Sequence, residues 1–125
     1  MATVVFADPP PVVEDWLEQR RALGQDRFDE VWEGVYHVVP GPDGAHGRVD
    51  HQLHLLLGPR ARAAGLYGSG QLNIGVADDY RAPDGAFLRS ARAARYNPTA
   101  AIVVEIVSPA DETRRKFDFY FRSDV

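Results

Sequence analysis

Two acidic residues pose the chemical question in this sequence. Glu105 stands in "AIVVEIVSP" (101–109), a segment that is otherwise apolar up to its Ser-Pro end. Burying an unpaired carboxylate costs several kcal/mol, by the usual order of magnitude, or forces it to take up a proton. An arginine or a hydrogen bond is one remedy, and a divalent cation is the other. A cation needs a second carboxylate nearby, and Asp84, 21 residues earlier in "DYRAPDGAFLRS" (79–90), is the obvious partner. Neighbouring strands lie about 4.8 Å apart, so acids from two paired strands can grip one ion. Asp84 belongs to the second of two Pro-Asp-Gly tripeptides; the first, in "VVPGPDGAHG" (38–47), reads as a turn and nothing more.

The elements that must position these acids follow from periodicity. "VVEDWLEQRRALG" (12–24) predicts an amphipathic helix with Gly24 at its C-terminal end, and "RFDEVWEGVYHVVP" (27–40) predicts two strands broken at Glu33-Gly34. "RVDHQLHLLL" (48–57) places Val49, Leu53, Leu56 and Leu57 on one helical face, with Pro59 kinking or ending the helix. "QLNIGVA" (71–77), "APDGAFL" (82–88) and "AAIVVEIV" (100–107) read as strands, the last apolar on both faces and therefore central. "DETRRKFDFYFR" (111–122) predicts a helix with a Phe117, Tyr120, Phe121 stripe. The order predicts an α/β or α+β domain, a mixed sheet flanked by helices. Residues 1–11, rich in proline, are expected to be a flexible arm, and 12–125 one domain.

Composition narrows the partners. With 45% apolar and 26% charged residues the chain is an ordinary globule, and it has no apolar run long enough to span a bilayer. The absence of cysteine excludes disulfides and thiolate metal sites, and the N-terminus lacks the features of a secretory signal, so a cytoplasmic location with no membrane partner is expected. A net charge of −4 excludes a protein that holds nucleic acid by its whole surface. Any such contact must be local, with Arg81, Arg89, Arg92 and Arg95 as candidates and Arg114 and Arg115 further on. Their alternative is a set of solvated surface arginines.

"PDG" at 83–85, "VVEIVSP" at 103–109 and "KFDFY" at 116–120 together resemble the PD-(D/E)XK nuclease superfamily, and more closely its Uma-two branch of restriction endonucleases. "EVWEGVYHVVP" (30–40) is similar to that branch's acidic hairpin, and "HGRVDHQLHLLL" (46–57) to its histidine-led helix. The resemblance covers about residues 27–125. It implies a restriction-endonuclease-like core, Mg²⁺-dependent hydrolysis of DNA phosphodiester bonds (with Mn²⁺ able to substitute) and DNA as partner. By residue match, Asp84 and Glu105 would be the acidic metal ligands, joined by the backbone carbonyl of Ile106. The superfamily's lysine normally follows the glutamate by two positions, where this chain has Val107; Lys116 matches the lysine that stands in within the branch. An i, i+4 pair with Glu112 is the competing account of Lys116. Glu30, His46 and Tyr120 are possible additions, Glu30 as a third carboxylate and His46 in substrate contact or proton transfer. A helix-capping role for His46 stays open. Two other classes remain: a nucleic-acid-binding module of the same fold without turnover, and a regulatory or interaction domain. In the branch a further strand follows the lysine-bearing helix. Its absence after "FRSDV" leads to the expectation of a shortened sheet and a homodimer.

Overall fold

The computed structural model describes residues 3–125. Strand β1 (Val4–Phe6) leads to helix α1 (Pro11–Ala22) and the hairpin β2 (Glu30–Trp32) and β3 (Val35–Val38). Helix α2 (Gly44–Ala63) is followed by β4 (Tyr67–Ser69), β5 (Asn73–Val76), β6 (Asp79–Arg81), β7 (Gly85–Leu88), β8 (Tyr96–Asn97) and β9 (Ile102–Val104). A 3₁₀ turn, Thr113–Lys116, runs into α3 (Phe117–Arg122). Six strands form a mixed sheet in the order β1-β3-β2-β6-β5-β8, and three form an antiparallel sheet in the order β4-β7-β9. This is a mixed α+β fold, as the pattern predicts, and it fits the restriction-endonuclease-like core that the resemblance implies.

Local chemistry explains the starts and stops. Pro11 opens α1, where a missing N–H costs nothing, and Gly24 takes φ +69° just past its end. The hairpin turns at Glu33-Gly34, both at positive φ. Leu17 of α1 is buried with Val31, Tyr36 and Tyr80, fixing the helix to the large sheet. Arg20 grips the buried Asp29 with two nitrogens, and Asp29 also accepts from the Tyr36 hydroxyl and the Val39 N–H. On the other side Phe87 and Val104 pack with Ala61 of α2.

Several expectations change. The arm is partly strand, because Val4–Phe6 pair antiparallel with β3. The first Pro-Asp-Gly is no simple turn: Asp43 caps α2 and accepts from the His46 N–H at 2.8 Å, so the helix begins before 48. That helix continues through Pro59 to Ala63, and its buried side is Leu53, Leu57 and Ala61, with Val49 and Leu56 exposed. The strand expected over 100–107 shortens to β9 and lies at the edge of the small sheet. Val103 packs against the Ala86–Tyr120 cluster and Val104 against Ala61 and Phe87, so both faces are covered. An apolar run on both faces records coverage above and below, not two strand neighbours. In the last segment Phe117 and Phe121 face outward while Thr113, Lys116 and Phe119 are buried. The 3₁₀ turn has three residues per turn and aligns positions i and i+3, which rotates the expected stripe.

Candidate active site

β7 and β9 pair antiparallel with Gly85 opposite Val104, so the register carried one step further sets Asp84 across from Glu105. Both acids line one cavity of about 390 Å³, together with Glu30, His46, Ile106 and Lys116. Three segments therefore converge there: the start of β2, the start of α2 and the 3₁₀ turn after β9.

Lys116 is the hub. Its Nζ lies 2.8 Å from Glu30 Oε2 and 3.0 Å from Glu105 Oε1. Burial opposes its charge, but Glu30 and Glu105 outweigh burial and raise its pKa above the ordinary lysine value. Glu105 Oε1 also accepts from the Tyr120 hydroxyl at 2.6 Å, and no described residue donates to Oε2. Burial pushes the Glu105 carboxyl up to about 7, against the opposing pull of Lys116 and Tyr120. Tyr120 is pushed far above the usual phenol range, first by burial and then by Glu105, so it stays a donor.

Glu30 is saturated. Oε1 accepts from the Trp32 indole at 3.1 Å, and Oε2 from the Ala82 N–H at 2.7 Å besides meeting Lys116. The hairpin glutamate thus anchors Lys116 rather than standing free as a third ligand. Asp84 is held at both oxygens. Oδ2 accepts from the Ile106 N–H at 2.7 Å, and Oδ1 lies 3.2 Å from His46 Nε2. Burial raises its pKa, with the Ile106 hydrogen bond, His46 and Lys116 pulling the other way. The Ile106 N–H thus meets Asp84, while the resemblance assigns the carbonyl of the same residue to the ion. The two Pro-Asp-Gly tripeptides are linked: Asp43 of the first caps the helix that directs His46 to Asp84 of the second.

Gly85 is needed for space. A Cβ there would meet His54 Nε2 at 2.3 Å and Ser69 O at 3.3 Å. The i, i+4 pair of Lys116 with Glu112, the competing account of that lysine, does not form: Glu112 meets His37 Nδ1 at 3.0 Å and Arg115 at 3.1 Å. Among the arginines, Arg81 is buried between Trp32 and Phe119, so the alternative of a solvated surface arginine does not hold for it. Arg89 donates to the carbonyls of Ala100 and Asp124, and Arg95 pairs with Asp26. Neither these two nor Arg92 lines the cavity of Asp84 and Glu105. Trp32 and His37 escaped the sequence reading, and Glu112 entered it only as a partner for Lys116. For Trp32 the signal was available, because residues i and i+2 of a strand share a face and Glu30 and Trp32 do so in β2.

Among the described residues no group of three or more His, Cys, Asp or Glu side chains is arranged to hold a metal ion. Mg²⁺ does not need one, since it is usually held by one or two carboxylates plus waters and substrate phosphate. Asp84 and Glu105, with Oε2 of the latter unpartnered, fit that demand. No helix among the described residues is long and apolar enough to cross a membrane.

A mixed α+β fold, whose small antiparallel sheet sets an aspartate across from a glutamate near a buried lysine, fits a restriction-endonuclease-like protein. A family model described as "Uma2: Putative restriction endonuclease" matches residues 13–125, and the chain belongs to that family. Family membership points to a nuclease, and restriction-endonuclease-like proteins usually use a divalent metal. No curated protein and no solved structure matches the chain.

Proposed function

We propose that the protein is a Mg²⁺-dependent endonuclease that hydrolyses phosphodiester bonds in DNA, with Asp84, Glu105 and Lys116 at its centre. The observation that carries this reading is the charged lysine locked beside Glu105 in the cavity that Asp84 shares. Asp84 and Glu105 would hold the ion, which when bound supplies Lewis-acid polarisation of the phosphate and a more acidic water. The chain's own groups do the rest. Lys116 offsets charge developing on the phosphate from a position fixed by two carboxylates. Glu30 fixes that position, its own oxygens being satisfied by Trp32 and Ala82. His46 and the Ile106 N–H hold the Asp84 carboxylate at both oxygens, so it needs no reorganisation. Tyr120 donates to the same Glu105 oxygen as Lys116, so Oε2 is the oxygen that would hold the ion.

The reading includes a homodimer. One edge of β9 has no strand neighbour among the described residues, and Ile102, Val107, Phe117 and Phe121 are exposed. Exposed strand edges beside apolar side chains favour pairing with a second chain. One observation favours the competing reading, a nucleic-acid-binding domain without turnover: the ammonium of Lys116 is paired on two sides already. A plasmid-nicking assay with and without Mg²⁺ separates the two. Activity that needs Mg²⁺ and disappears in Asp84→Asn and Glu105→Gln supports the enzyme. Metal-independent nicking, or full activity in Glu105→Gln, refutes it.

A further inference from the structure

Arg81 ends β6 with its guanidinium between two rings, 4.5 Å from the centre of Trp32 and 4.0 Å from that of Phe119. Its side chain is 5% exposed. Nη1 donates to Val31 O and to Asp79 Oδ1. Nε is buried without a partner, and no described residue accepts from Nη2. A buried donor is normally satisfied, and an orphan on a charged group is costly. The unengaged Nε–Nη2 edge is a planar fork that takes an oxyanion through two parallel N–H bonds.

Arg81 lines a second cavity, of about 520 Å³, together with Trp32, His37, Arg115 and Arg122. Arg115 and Arg122 are 72% and 61% exposed, so their charges are mobile at the rim. The acids there are engaged or solvated: Glu112 by His37 and Arg115, and Glu33 in a loose 3.8 Å pair with Arg122; Asp118 completes the set. Glu112 lines both cavities and is the lining residue they share.

We propose that this second cavity is a phosphate-binding site, gripped by the Arg81 fork and closed by Arg115 and Arg122. Its occupant is a phosphodiester of the nucleic-acid strand that also enters the Asp84–Glu105 cavity. The shared lining residue Glu112 lets one strand reach both sites, an advantage that free phosphate lacks. The strand assignment rests on the nuclease reading; the phosphate site does not.

The test uses the full chain in EDTA, where no cleavage occurs. The chain has two tryptophans, so in a Trp16→Phe background the fluorescence of Trp32 reports on the cavity. Titration with inorganic phosphate should change it saturably. Arg81→Lys keeps the charge but removes the fork and should abolish the change. Because that residue is buried, the exposed pair Arg115→Ala/Arg122→Ala provides a second variant, expected to weaken phosphate about tenfold. In the second arm, a fluorescent oligonucleotide is followed by anisotropy against salt. The arginine pair should flatten the salt slope by about one unit per lost contact. Phosphate binding indifferent to all these variants overturns the site. Phosphate binding that responds, with oligonucleotide affinity that does not, overturns the strand assignment in favour of a free phosphate. Phosphate binding that persists in a protein without nicking activity overturns the nuclease reading and leaves the site standing.

Discussion

Replacing Lys116 with methionine keeps the apolar stem along the core edge and removes only the ammonium. That ammonium serves two carboxylates, at 2.8 Å and 3.0 Å, whose side chains are 3% and 10% exposed. Removing one partner of a buried ion pair costs about 3–5 kcal/mol, and with two acids stranded the upper part of that range applies at about pH 8. For a chain of this length the loss lowers Tm by about 10–20 °C. Glu105 sits at about 7 with Lys116 present, because burial outweighs the lysine's pull; without the lysine it rises further and takes up a proton in mild acid. The penalty should therefore shrink as pH falls toward about 5.5. Urea unfolding followed by far-UV circular dichroism across this range measures both the size and the slope. A loss below about 1 kcal/mol at pH 8, the scale of a surface pair, refutes the reasoning. So does a penalty that grows toward acid.

Further outcomes follow from the same geometry. In the wild type, the contribution of Glu105 to stability is present below its ordinary value of 4.5 and is lost as pH rises through about 7, and Asp84 acts in the same sense. A cation competes with those protons, so thermal stabilisation by Mg²⁺ should be negligible at about pH 5.5 and grow toward about pH 8; pH-independent stabilisation would contradict this. Gly85→Ala should cost about 1–3 kcal/mol by overpacking against His54, and His54→Ala should recover most of it in a double-mutant cycle. Additive losses would show that the two residues are not in contact. Asp43→Ala should cost about 1 kcal/mol as a lost helix cap and lower nicking activity by loosening His46. An unchanged unfolding midpoint would remove the link between the two tripeptides.

The sequence by itself determined the hairpin at Glu33-Gly34, the helix that stops just before Gly24, and Glu105 as a lone charge in an apolar run. These are local matters: a positive-φ turn, a cap, and a charge in an apolar run, each readable within about ten residues. Tertiary structure alone decided what surrounds them. β9 is an edge strand, with β7 its one strand neighbour among the described residues, while its apolar faces are covered by α2 and by the Tyr120 cluster. Lys116, which the resemblance assigns to the site, stands in "DETRRK", and it is the 3₁₀ turn that brings it to two acids 11 and 86 residues away. Arg81, one charge among several in the sequence, is buried because rings from β2 and α3 close on it. A charged side chain enters a core only when its partners come from other elements, and no periodicity along one segment records where those partners fall.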